Sequence, residues 1–293
     1  MKKIYRVFGH IKHFINKSSR DNISAIAAQS AFFIILSVVP FLMFTFAVLS
    51  LFGVPQNLFE IYVDDILTSN VRMYVEKIIV ETYENSIGIA YTTIVLALWS
   101  SGKGLYSITE GIRRIYRIRD RNWFTKRLLA MGYTFIMFLV LLLSIGGFVV
   151  CELFDHAISP YLEELPYSLG IMYALRYLIL FVLIVLLIAF ALKLYLRNKV
   201  SDKRLAKFRL QLPGAVLTAL CWVLLSLGIR IYVDYFNGFS IYGSLGTAAL
   251  IMVWVYFSMY IFLCSVQLNF IYRKWIYKNF KKYSKIFNKS IDN

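Results

Sequence analysis

The chain has 293 residues, of which 59% are apolar and only 16% charged, against about 45–50% and about 25% in soluble domains. That excludes an ordinary soluble globular protein. The charge is one-sided, 32 Lys and Arg against 16 Asp and Glu for a net +16, which suits either a nucleic-acid surface or the cytoplasmic loops of a membrane protein.

Residues 1–22 open the chain. Ile4, Val7, Phe8, Ile11, Phe14 and Ile15 recur at helical spacing among Lys2, Lys3, Arg6, Lys12 and Lys17, the pattern of a basic amphipathic helix lying on an anionic leaflet. An apolar run from Ile23 to Phe52 follows, with Pro40 inside it. It exceeds the roughly 20 residues that cross a bilayer, so it predicts a tilted or proline-kinked first span. It is too long, and lacks the small-residue cleavage pattern, for a signal peptide.

The connection 53–86 carries two apolar stripes, Leu58, Tyr62 and Ile66, then Val71, Val75, Ile78, Ile79 and Tyr83. They predict two amphipathic outer helices broken near Thr68 to Asn70, a packed cap in preference to a substrate gate. Span two, Ile87 to about Ile108, is interrupted by Ser100, Ser101, Gly102, Lys103 and Gly104. Spans three to six are Leu128–Val150, Ile171–Leu196, Leu212 to about Tyr232, and Leu245–Tyr272, before a basic tail at 273–293. In that tail Ile276, Phe280, Tyr283 and Phe287 repeat the amphipathic design. The expected fold is all-α: one polytopic domain of six transmembrane helices over 23–272, with basic interfacial helices at both termini.

Divided by segment, the charge alternates. One side of the six spans collects 28 basic and 5 acidic residues, the other 4 basic and 11 acidic. This is the positive-inside pattern, and an even number of spans puts both termini in the cytoplasm. It predicts membrane lipids as partners, anionic at the inner leaflet, and no nucleic acid, because an RNA-binding face does not require the sign to switch at every span.

Catalytic signatures are sparse. His10, His13 and His156 have no companion at zinc-like spacing, and Cys151, Cys221 and Cys264 lie in or beside spans without a disulfide framework. Neither a phosphate-binding glycine loop nor a nucleophile elbow is present. The sequence therefore predicts no metal, no cofactor and no catalytic residues.

Polar groups inside spans carry more meaning, since each needs a partner or water. Gln29, Ser30, Ser37 and Pro40 are candidates for a polar path through span one, weighed below simple helix-to-helix hydrogen bonding. Lys103 stands roughly 24 Å along the helix from Ile87, which predicts a lysine snorkelling to the inner interface. Arg230 and Asp234, four apart on one helical face, predict a local ion pair in preference to a lipid-headgroup or ion contact. Pro213 and Gly214 fit the first turn of span five, and Gly238, Tyr242, Gly243 and Gly246 mark a tight outer turn.

The order and spacing of Ala27 to Pro40 (AAQSAFFIILSVVP), Leu98 to Ser101 (LWSS), Leu212 to Ala215 (LPGA), Tyr242 to Gly246 (YGSLG) and Trp254 resemble the YihY/BrkB family of bacterial inner-membrane proteins. The resemblance runs from about Arg20 to Tyr272 and implies a six-span protein of the cytoplasmic membrane. The family carries an older ribonuclease BN label and a virulence-factor label, and supplies no catalytic set that maps onto this chain. The leading reading is a non-enzymatic transporter-like or lipid- and envelope-handling membrane protein. The alternative is a non-transporting envelope scaffold, a ribonuclease ranks last, and self-association or an envelope-protein partner is left open.

Overall fold

A computed structural model describes residues 2–51, 69–84, 102–118, 132, 168–197, 199–200, 202–236 and 243–291. Among them every regular element is helical: α1 (Lys2–Arg20), α2 (Ile23–Leu51), α3 (Ser69–Glu84), α4 (102–116), α5 (Ser168–Arg197), a single 3-10 turn (Lys203–Ala206), α6 (Phe208–Phe236) and α7 (Gly243–Ile291). Four helices contain stretches long and apolar enough to cross a membrane, Ile23–Ala47, Leu178–Arg197, Phe208–Val233 and Ala248–Arg273. They answer to expected spans one, four, five and six. Span three, most of span two and the helix expected around Leu58 to Ile66 lie outside the described residues.

Asn22 separates α1 from α2. It sits in the left-handed region with φ 53°, which asparagine tolerates better than most side chains. Its N–H closes α1 on the Ser19 carbonyl at 3.1 Å, and its own carbonyl accepts the Ile26 N–H at 3.1 Å to start α2. One residue thus ends one helix and begins the next. Lys17 and Asp21 pair across the same corner.

The spans pack as a fan, α2 beside α7, α7 beside α6 and α6 beside α5, with α3 laid on α2. Helix α3 buries Ile79 and Thr82 and half-buries Val75, Ile78 and Tyr83, so the second stripe of the outer connection is an inward face. Burial raises the Tyr83 phenol above its ordinary pKa.

Helix α4 fills the middle of the fan. It runs antiparallel to α2: a Cβ on Gly104 would stand 3.1 Å from Ile34 Cγ1, and one on Gly111 would stand 3.1 Å from Ile26 Cγ2 and 2.8 Å from Leu263 Cδ2 of α7. Its other side meets α5, where the Tyr195 hydroxyl donates to the Thr109 carbonyl at 3.0 Å. The main core, including Ile23, Ile26, Ile112, Ile115, Leu196 and Leu263, gathers around it. Here α2 and α6 begin and α4 and α5 end, so this is the basic end of the bundle.

Large apolar side chains elsewhere are exposed, among them Phe32, Leu36, Leu183, Leu187, Leu224, Leu227 and Trp254. In water that would be a liability. In hydrocarbon such faces are solvated by lipid tails and the backbone is satisfied within each helix. Helix α7 then continues for 49 residues, about 74 Å at 1.5 Å per residue, without a break at the expected boundary after Tyr272.

Candidate functional site

The densest polar structure in the described residues closes the basic end. Asn269 of α7 is 2% exposed and Gln211 of α6 1%. Gly214 donates its N–H to Asn269 Oδ1 at 2.9 Å, and Asn269 Nδ2 donates to the Gln211 carbonyl at 3.2 Å and to Gln211 Oε1 at 3.4 Å. Gln211 Nε2 donates to the Leu205 carbonyl at 2.7 Å, and the Tyr116 hydroxyl of α4 donates to Gln211 Oε1 at 3.3 Å. Two amides thereby join α4, α6, α7 and the turn before α6. A buried network of this kind is stable only when its members are satisfied together.

Pro213 explains why the network sits there. The proline is the sixth residue of α6, which begins at Phe208, rather than in the first turn. The expected start at Leu212 is corrected because Phe208 to Gln211 continue the helix, with Leu210 and Gln211 buried. A proline at this depth supplies no N–H and crowds the preceding turn. The Asn269 amide engages the backbone on both sides of it.

The Phe270 ring next to Asn269 carries two cations, Lys17 Nζ at 4.9 Å and Arg273 at 4.1 Å from its centroid, and meets the Tyr116 ring edge-on at 5.2 Å. Gln267, fully buried, donates Nε2 to the Phe14 carbonyl of α1 at 3.3 Å. Its Oε1 has no partner.

The sequence-predicted residues divide. Ser30 and Ser37 are buried, and their hydroxyls turn back onto their own helix, to the Ile26 carbonyl at 2.8 Å and the Ile34 carbonyl at 2.7 Å. Gln29 is exposed, so it does not share their face. Pro40 is half-buried within an unbroken α2. Lys103 differs from expectation: its Nζ stands 5.2 Å from the centroid of Phe33, level with the middle of α2 instead of the inner interface. The cause is the extent of α4, which carries the helix to residue 116, about 20 Å beyond Lys103.

Arg230 is exposed on α6. The Asp234 side chain lies outside the description, as does Tyr242, so their expected pairing and turn do too. Gly243 and Gly246, expected in that turn, belong to the first turns of α7, with Gly246 buried. Gln211, Asn269 and Tyr116 were missed by sequence reasoning, although a buried amide inside an apolar span was signal enough for Asn269.

Packing changes along the bundle. Beyond Ala219, no described side chain of α6 from Leu220 to Tyr235 is buried. In α5, residues 178–184 are exposed apart from half-buried Phe181, and in α7 residues 248–254 are exposed apart from half-buried Leu250. The α5 and α7 stretches each span about two turns, while α6 keeps a half-buried stripe at Cys221, Trp222, Leu225 and Ile229. Among the described residues the far ends of α5, α6 and α7 are less buried than the basic end, and there Trp222 Nε1 donates to the Ser258 carbonyl at 2.9 Å and Trp254 Nε1 to Ser226 Oγ at 3.2 Å. Among the described residues no three of His, Cys, Asp and Glu gather as a metal-binding group.

Apolar spans exposed to lipid around a polar clasp define a multi-pass helical membrane protein. Residues 14–285 match the family model described as Virulence factor BrkB, and the chain belongs to that family. It is similar to the putative ribonuclease-like protein YfkH of Bacillus subtilis, 25% identical over 255 residues covering 85% of this chain and 89% of the relative. It is also similar to UPF0761 membrane proteins of Pseudoalteromonas atlantica, 26% identical with 93% and 88% covered, and of Alteromonas mediterranea, 26% identical with 87% and 84% covered. No solved structure matches.

Proposed function

We propose that the protein is a non-enzymatic transporter-like membrane protein that admits a lipid or other amphiphile between its spans from the open end and is closed at the basic end. The observation that carries this reading is the change in packing along α5, α6 and α7, from buried residues such as Leu192, Ala215 and Leu263 to stretches in which no described side chain is buried. The exposed Leu, Ile and Val side chains of these stretches suit an acyl chain better than a hydrated solute. The 28 basic residues of the alternate segments support a cytoplasmic basic end in a bacterial inner membrane, with both termini inside. The sequence patterns of α1 and the tail support contact with anionic lipid there.

The test is transbilayer movement of fluorescent lipids in liposomes containing folded protein. Faster loss of outer-leaflet protection than in protein-free liposomes supports the reading. No movement across phospholipids of differing headgroup counts against it.

The unbroken extension of α7 to Ile291 favours a second reading, a scaffold whose projecting helix engages an envelope partner. Truncation after Arg273 separates the two. A lipid-handling protein keeps its activity in liposomes, whereas a scaffold loses its cellular role while its membrane domain stays intact.

A further inference from the structure

We infer that Lys103 is the contact for the anionic headgroup, a phosphate group in the first instance, of the amphiphile that enters the bundle; this rests on the lipid-handling reading above. Phe33, over which the Lys103 ammonium sits at 5.2 Å, is ten residues from Ile23 and fourteen from Ala47, the limits of the first span. At 1.5 Å per residue that is roughly 15 Å from one end and 21 Å from the other. A lysine stem does not cover that distance, so snorkelling cannot carry the charge to either interface.

An ammonium at this depth calls for a counter-charge, a carbonyl cage or water. The other ionised groups of α4 supply their own: Glu110, two turns away, is taken by Arg113 and Arg114. Lys103 takes part in none of the ion pairs among the described residues, and its one aromatic contact leaves its N–H donors unused. Its surroundings are also asymmetric. Gly104 is pressed against the α2 backbone, 3.3 Å from Ile34 N to a hypothetical Cβ, which fixes the helix, while the Lys103 side chain itself remains half-exposed. A half-exposed cation at mid-depth, without an ion-pair partner among the described residues, matches a molecule with one negative group and an acyl chain.

The experiment uses the full chain in uncharged detergent, with dodecyl phosphate, dodecyl phosphocholine and inorganic phosphate as probes and calorimetric titration as readout. Dodecyl phosphate should bind the native protein, and Lys103→Met should weaken it by about tenfold or more, the loss expected for one charge-assisted contact. Lys103→Arg should retain binding within about threefold, and Arg20→Gln, at an exposed site of the basic end, should leave it unchanged. Dodecyl phosphocholine should bind more weakly and respond little to Lys103→Met. The inference is overturned if Lys103→Met binds dodecyl phosphate normally, if Arg20→Gln weakens it equally, if inorganic phosphate binds as tightly as the alkyl phosphate, or if the native protein does not bind it. No lipid movement is measured here, so a protein that binds in this pattern yet moves nothing would defeat the proposed function and leave the headgroup contact standing.

Discussion

Asn269 and Gly214 are in such close contact that a side chain cannot come between them: a Cβ on Gly214 would stand 2.4 Å from Asn269 Nδ2, while the Gly214 N–H already donates to Asn269 Oδ1 at 2.9 Å. Gly214→Ala should therefore destabilise the protein by about 1–3 kcal/mol, the usual result of overpacking. The roughly 1 kcal/mol that alanine gains over glycine inside a helix works the other way. Thermal unfolding in detergent gives the sign directly, and an unchanged or higher midpoint would show that the Asn269 amide moves aside freely.

Gly111 makes a closer approach to α7 than its neighbours allow, but to softer atoms. A Cβ there meets the Leu263 methyl groups at 2.8 and 3.3 Å, the free end of a side chain rather than a hydrogen-bonded amide. Gly111→Ala should cost less than Gly214→Ala. Combining it with Leu263→Val should recover part of the loss, a non-additivity that the double-mutant cycle measures.

Removing the amide tests the clasp from its other side. Asn269→Leu strands the Gly214 N–H beside Pro213 and takes a donor from Gln211, so unfolding should become easier by about 1–3 kcal/mol. Gln211→Leu should cost a similar amount, and the double variant less than the sum, because each residue's loss already breaks the shared bonds. Strict additivity would mean that the two amides act separately.

The Tyr195 hydroxyl ties α5 to α4 through the Thr109 carbonyl, and Lys199 lies over the same ring at 3.8 Å. Tyr195→Phe keeps the ring and the cation contact and loses only the hydrogen bond, predicting a loss of about 1 kcal/mol. Tyr195→Leu should cost more. Equal losses would assign the stabilisation to the hydrogen bond alone, and no loss in Tyr195→Phe would assign it to packing.

Much of the bundle was legible because lipid imposes a coarse rule: α2, α5, α6 and α7 each carry enough unbroken apolar sequence to cross the bilayer, whatever their neighbours. What the rule does not reveal is where a span stops. Span five was expected to begin at Leu212, yet Phe208 to Gln211 continue the helix, and Gln211 finds Leu205, Tyr116 and Asn269, contacts distant in sequence by up to 95 residues. Ser30 and Ser37 were expected to bond a neighbouring helix in preference to lining a polar path, but their hydroxyls donate to the Ile26 and Ile34 carbonyls of α2 itself, a choice that sequence spacing leaves undetermined. Lys103 was expected near the inner interface from its distance along the helix from Ile87, a measure that assumes where the span begins. Contact of Gly104 with Ile34 puts it at the middle.

The central claim is that the spans are held together at the basic end and stand apart at the other. Pulsed electron–electron distance measurement on spin-labelled protein in lipid tests it with two pairs of exposed sites, Leu183 with Met252 at the far end and Arg20 with Lys207 at the basic end. A broad far-end distribution that narrows when an alkyl phosphate is added, beside a narrow basic-end distribution that does not respond, is the predicted result. Equally narrow distributions at both ends, unchanged by the amphiphile, would contradict it.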